Sequence, residues 1–126
     1  MKNKRFYLFT AALTLLIWGC AGPKQVQGTY KVTGSAGVTA NIIYAANGLG
    51  GNSTANNQVL PWQTTFTAYE SEGNYQGTYV FLSAVNDAPS SSSTSITITI
   101  LEDNAVYQSP NYATGGGNAI TLLGNF

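Results

Sequence analysis

Residues 95–100 read Ser-Ile-Thr-Ile-Thr-Ile, and this strict alternation restricts the chain more than any other feature. Successive side chains of an extended strand point to opposite faces. Ile96, Ile98 and Ile100 therefore make one greasy face, and Ser95, Thr97 and Thr99 make a hydroxylated one. Such a strand needs a covering layer on one side and tolerates water on the other, as in an antiparallel sheet. Val38, Ala40, Ile42 and Tyr44 repeat the pattern, and Trp62, Thr64, Phe66 and Ala68 share one side of another run. The texture predicts strands over Thr29–Gly34, Gly37–Tyr44, Leu60–Ala68, Thr78–Asn86, Thr94–Leu101, Ala105–Ser109 and Ala119–Leu123. No helical period shows outside the N-terminal segment. About seven short strands so arranged predict an all-β fold, an immunoglobulin-like antiparallel β-sandwich.

The punctuation between these runs fits. Asp103-Asn104 separates two strand-like segments, and both residues tolerate positive φ, so a tight hairpin is expected. Asn47-Gly48, Gly50-Gly51-Asn52 and Gly115-Gly116-Gly117 read as longer, mobile connections, and Ser90–Ser93 as a polar loop opened by Pro89. Ala45–Asn57 is left as an uncommitted loop, with Asn52-Ser53-Thr54 as ordinary loop sequence within it.

The N-terminus has a different grammar. Lys2, Lys4 and Arg5 precede an apolar run from Phe6 to Trp18, followed by Gly19 and Cys20. Thirteen residues are too few for a bilayer-spanning helix, which needs about twenty. A basic start, a short greasy core, Ile17 three residues before a cysteine and a small residue just before it resemble a bacterial lipoprotein signal and lipobox. Residues 1–19 are then a signal peptide, Cys20 is the lipidated first residue of the mature protein, 20–28 form a short tether, and 29–126 are the sandwich. Cys20 is the only cysteine, so no internal disulfide forms. The expected location is the cell envelope, lipid-anchored and facing the periplasm or exterior. Ala21 in place of an inner-membrane-retaining aspartate favours the outer membrane.

Beyond Cys20 the charges are Lys24 and Lys31 against Glu70, Glu72, Asp87, Glu102 and Asp103, a balance of −3. Two lysines cannot supply the phosphate contacts of nucleic-acid binding or a polybasic lipid patch. The chain has no histidine, the commonest general base and zinc ligand. A Ser–Lys pair would have to use tethered Lys24 or strand-borne Lys31. No catalytic residue, metal site or cofactor is assigned. Glu70, Glu72 and Asn74 have the alternate spacing of calcium loops, but lack the acidic start and later bidentate carboxylate, which favours a solvated loop.

Tyrosine content is the one pointer to a surface: Tyr69, Tyr75, Tyr79, Tyr107 and Tyr112 are many for so small a domain. If Val80, Leu82 and Ala84 face the core, Tyr79 and Phe81 point outward as a candidate binding surface. The alternative is packing between strands or burial on both faces. Pro61-Trp62 is expected to plug the core.

Several local patterns then line up: Tyr30-Lys31-Val32-Thr33-Gly34, Ile42-Ile43-Tyr44, Leu60-Pro61-Trp62, Ser83-Ala84-Val85-Asn86, and Ile96 to Tyr107 with its tight turn. Their order and spacing resemble the MmpS family of small membrane-anchored accessory proteins. The resemblance implies an immunoglobulin-like sandwich outside the cytoplasmic membrane that assists a transporter of the resistance-nodulation-division type. Typical members hang from a membrane helix, and many carry two cysteines in the regions of Ile96–Ile98 and Leu122–Leu123, which are apolar here. Three roles stay open: a non-catalytic accessory domain for an envelope transporter or other envelope protein, a glycan- or small-ligand-binding module, and a purely structural envelope lipoprotein.

Overall fold

A computed structural model describes residues 22–46 and 51–126, with the backbone alone at 46 and 109–112. The signal segment, Cys20 and Asn47-Gly48 lie outside the described residues. Eight strands follow one another: β1 (Gln25–Gly34), β2 (Thr39–Ala46), β3 (Gly51–Val59), β4 (Trp62–Tyr69), β5 (Tyr79–Asn86), β6 (Ser95–Glu102), β7 (Ala105–Thr114) and β8 (Ala119–Asn125). They form two four-stranded antiparallel sheets, ordered β4-β1-β6-β7 and β3-β2-β5-β8. We call these sheet A and sheet B. The expected all-β sandwich is what the chain forms. Among the described residues no helix is long and apolar enough to cross a membrane.

Alternation dictates which side chains meet between the sheets. From sheet A come Val26, Tyr30, Val32, Ala68, Ile96, Ile98 and Ile100, and from sheet B come Ala40, Ile42, Val80, Leu82, Ala84 and Ile120, all buried. Tyr30 crosses the whole gap: its ring stacks on Phe66 at 4.4 Å, and its hydroxyl accepts the Phe81 amide of the opposite sheet at 3.3 Å. Phe66 lies over Gly28, its cross-strand partner, where an added Cβ would stand 2.2 Å from the ring. The aromatic row continues from Tyr30 to Tyr44 (5.8 Å) and from Tyr44 to Trp62 (5.3 Å). Trp62 is half-buried at the end of that row rather than a central plug. Ile98 is buried in the core and Leu122 packs against it.

Two expectations change. The segment read as an uncommitted loop holds most of β3, Gly51 to Asn57, and the strand's Gly-Asn-Ser-Thr-Ala-Asn-Asn-Gln-Val sequence has little strand propensity. Backbone pairing to β2 holds it as an edge strand. A bulge sets Asn41 opposite both Asn56 and Asn57, with Asn57 at φ +52° and its amide donating to Asn41 Oδ1 at 3.0 Å. β1 begins at Gln25, inside the stretch read as tether, because Gln25–Gly28 pairs with Phe66–Tyr69. The connection expected at Gly115-Gly116-Gly117 is closely packed on the β5–β6 crossover: an added Cβ on Gly116 would stand 1.4 Å from the Ala88 carbonyl oxygen.

The hairpin expectation holds. Asp103 and Asn104 join β6 to β7 with φ of +46° and +68°. At the opposite end, buried Asn86 donates to Thr94 Oγ1 (3.2 Å) and accepts the Ala88 amide (2.9 Å), fixing the crossover from β5 to β6.

Candidate functional site

The pairing β5·β8 places Tyr79, Phe81, Ser83 and Val85 on the outer face of sheet B, opposite Asn125, Leu123, Thr121 and Ala119. Val80, Leu82 and Ala84 are fully buried on the other side, so Tyr79 and Phe81 point outward as expected. The register then reveals what spacing along one strand could not. Ile43 of β2 pairs with Ser83, which brings it beside Phe81 on the same face. Ile43 is 41% exposed, Tyr79 41% and Leu123 61%, and Phe81 is half-buried among them. Ser83 and Thr121 pair through their hydroxyls at 3.0 Å. None of the four strands carries a charged residue. An apolar centre on this face is thus open to solvent, and the Asp87 carboxylate stands at its far end, where it accepts from Asn41 Nδ2.

Sheet A presents a different outer face. Thr65, Thr67 and Gln63 of β4 stand beside Thr29, Gln27 and Lys31 of β1, and Lys31 is flanked on β6 by Thr99. This hydroxylated strip is bordered by an apolar pair on the same face, Leu101 of β6 and Val106 of β7, the latter 58% exposed. Along one long edge the two sheets are tied together. The Tyr107 hydroxyl donates to the Asn125 carbonyl and Gln108 Nε2 to the Leu123 carbonyl at 2.6 Å. Along the other, a cavity of about 220 Å³ opens between the sheets, lined by Tyr30, Tyr44, Ser53, Thr64 and Phe66 among others.

The Glu70–Asn74 stretch is tied into the fold by its own polar contacts. Glu70 accepts from the Lys24 ammonium at 2.5 Å. Gly73 sits at φ +58° in a turn closed by the Tyr75 amide on the Glu72 carbonyl at 2.9 Å. Among the described residues no three metal-ligating side chains converge. The hydrogen bond to Glu70 raises the Lys24 pKa above its ordinary value. Burial, and then the hydrogen bond and repulsion from Glu70, push the Glu102 carboxyl up. Lys31 faces out between Gln63 and Thr99. Burial holds the Tyr30 phenol up at about 12.

Tyr69 and Tyr75 meet edge-on at 6.4 Å at the end of the molecule where the chain enters β1. Tyr107 instead packs against Phe126 at 4.6 Å. The side chain of Tyr112 lies outside the described residues. No known protein family's sequence profile matches the chain, and no curated protein matches it in sequence.

Proposed function

We propose that this protein is a lipid-anchored accessory domain of a bacterial envelope, held to a membrane through Cys20 and non-catalytic. On this reading it binds another envelope protein through the outer face of sheet B. The observation that carries it is the uncharged apolar surface of Ile43, Tyr79, Phe81 and Leu123, on a sheet whose own fold gives no reason to leave it bare. Exposed aromatic and aliphatic groups in one patch mark protein interfaces more often than solvent faces. The lipobox-like start supplies the location, and the resemblance to the MmpS family supplies the class of partner, an envelope transporter.

The same resemblance gives the non-catalytic role, with the absence of histidine from the sequence beside it. In-cell crosslinking from photoreactive residues placed at Thr121 and Thr54 on this face, followed by purification and mass spectrometry, tests the proposal. One membrane protein captured from these positions, and lost in Ile43→Ser/Leu123→Ser, supports it. Capture of no specific protein, or equal capture from Thr65 on sheet A, overturns it. A second reading, a glycan-binding module, draws on the hydroxyl- and aromatic-lined cavity between Ser53 and Phe66. Binding of cell-wall fragments that is lost in Tyr44→Ala would favour it.

A further inference from the structure

The end of the sandwich at which the chain enters gathers groups that neither core nor sheet face explains. Lys24 is already fixed there, its carbonyl accepting the Glu70 amide at 2.9 Å and its ammonium held by Glu70. Only Ala21, Gly22 and Pro23 separate it from Cys20. Four residue steps at full extension span about 14 Å. Tyr69, Tyr75 and Tyr79 stand at this same end, 38%, 43% and 41% exposed. Among residues whose side chains are described, they are the three exposed tyrosines. Gln25 pairs with Tyr69, Tyr75 packs edge-on against Tyr69, and the Thr78 amide donates to the Tyr69 carbonyl just before Tyr79.

We infer that this tyrosine-bearing end is a membrane-contact surface, seated on the headgroup layer of a bilayer rich in phosphatidylethanolamine. The inference deepens the anchored reading above and rests on it. If Cys20 carries acyl chains in the hydrocarbon core, a link of about 14 Å leaves this end little room to stand clear of the headgroups. Tyrosine suits that layer because its ring is apolar and its hydroxyl stays wet. Charge selects the lipid. Lys24 and Glu70 neutralise each other, while Glu72, Glu102 and Asp103 remain at this end, and three carboxylates disfavour an anionic surface. A zwitterionic headgroup offers an ammonium without that repulsion. Seated so, the strands rise from the bilayer. Tyr79 marks the corner where the contact ends and the outer face of sheet B begins, which places the proposed docking face against whatever a membrane-embedded partner exposes at its surface.

The test uses the full lipoprotein, purified from membranes and reconstituted in phosphatidylethanolamine/phosphatidylcholine vesicles whose phosphatidylcholine is brominated in its acyl chains. Trp62→Phe removes the tryptophan of the processed chain, and Tyr75→Trp or Ser91→Trp places a reporter at the near or the far end. We expect emission from position 75 to be quenched several-fold more than from position 91, and less so when phosphatidylglycerol replaces phosphatidylethanolamine. Equal quenching at both positions in protein that floats with the vesicles overturns the tyrosine contact while leaving the anchor standing. Protein that does not float overturns the anchor and this inference with it. If Trp62→Phe fails to fold, a spin label at Gln76→Cys in the otherwise native chain reports the same depth by its accessibility to oxygen and to a polar relaxant. Full access to the polar relaxant there overturns the inference.

Discussion

The two sheets share one core, yet their outer faces differ in where the apolar residues lie. On sheet A, threonine and glutamine alternate with the core residues, so Thr65 and Thr67 give water a hydroxylated surface while keeping strand-favouring branched side chains, and the apolar pair Leu101 and Val106 lies to one side of it. On sheet B the equivalent positions are Ile43, Tyr79, Phe81 and Leu123. Folding explains the hydroxylated part of the first face, because an antiparallel sheet with one side packed and one side wet needs nothing more. It does not explain the second. The comparison divides the apolar residues of sheet B into two sets, one that holds the fold and one that the proposal above assigns to a partner.

The sharpest way to break that division is to truncate neighbours in sequence. Leu82→Ala, inside, should cost about 2–5 kcal/mol in urea unfolding. Phe81→Ala, one residue earlier on the outer face, should cost about 1 kcal/mol or less. Equal losses would mean that the outer face is part of the folding core after all.

Next in size is an alkaline effect that runs beneath the same face. The Tyr30 hydroxyl reaches from sheet A to the Phe81 amide, and its pKa is raised from the ordinary 10 to about 12. The neutral phenol is favoured in the folded protein, so its stabilisation is complete below pH 10 and disappears as pH climbs through 12. At about 1.4 kcal/mol per unit, roughly 2–3 kcal/mol should vanish over that window. Denaturant titrations at pH 9 and 12 measure it, and Tyr30→Phe should flatten this component of the profile.

The smallest expected effect separates the faces most finely. Ile43→Thr on sheet B and Thr65→Ala on sheet A should each change stability by about 0.5 kcal/mol or less. Only Ile43→Thr should lower capture of the crosslinked partner. A loss of capture with Thr65→Ala would reverse the assignment of faces.

Much of this architecture could be read from residue order. Seven of the eight strands lie within a few residues of where alternation put them, since period-two patterning is a local property of the chain. The Asp103-Asn104 hairpin was equally legible, because positive φ at two successive residues is a demand on those residues alone. β3 was not legible. Its Asn, Gly and Gln residues carry no apolar alternation, and it is a strand only because β2 offers its backbone a partner. The candidate surface was half-visible. Tyr79 and Phe81 followed from the parity of one strand, whereas Ile43 and Leu123 joined them only through cross-strand register.

By itself, then, the sequence determined which side chains share a face, where the tight turns fall, and the absence of histidine. Those are properties of consecutive residues or of composition. The tertiary structure decided which faces become neighbours. It brought Tyr30 under Phe81, joined Ile43 to Leu123 across two strand pairs, and set three tyrosines around the entry of the chain. Register and sheet order fix such meetings through contacts between residues far apart in the chain, and no local pattern encodes them.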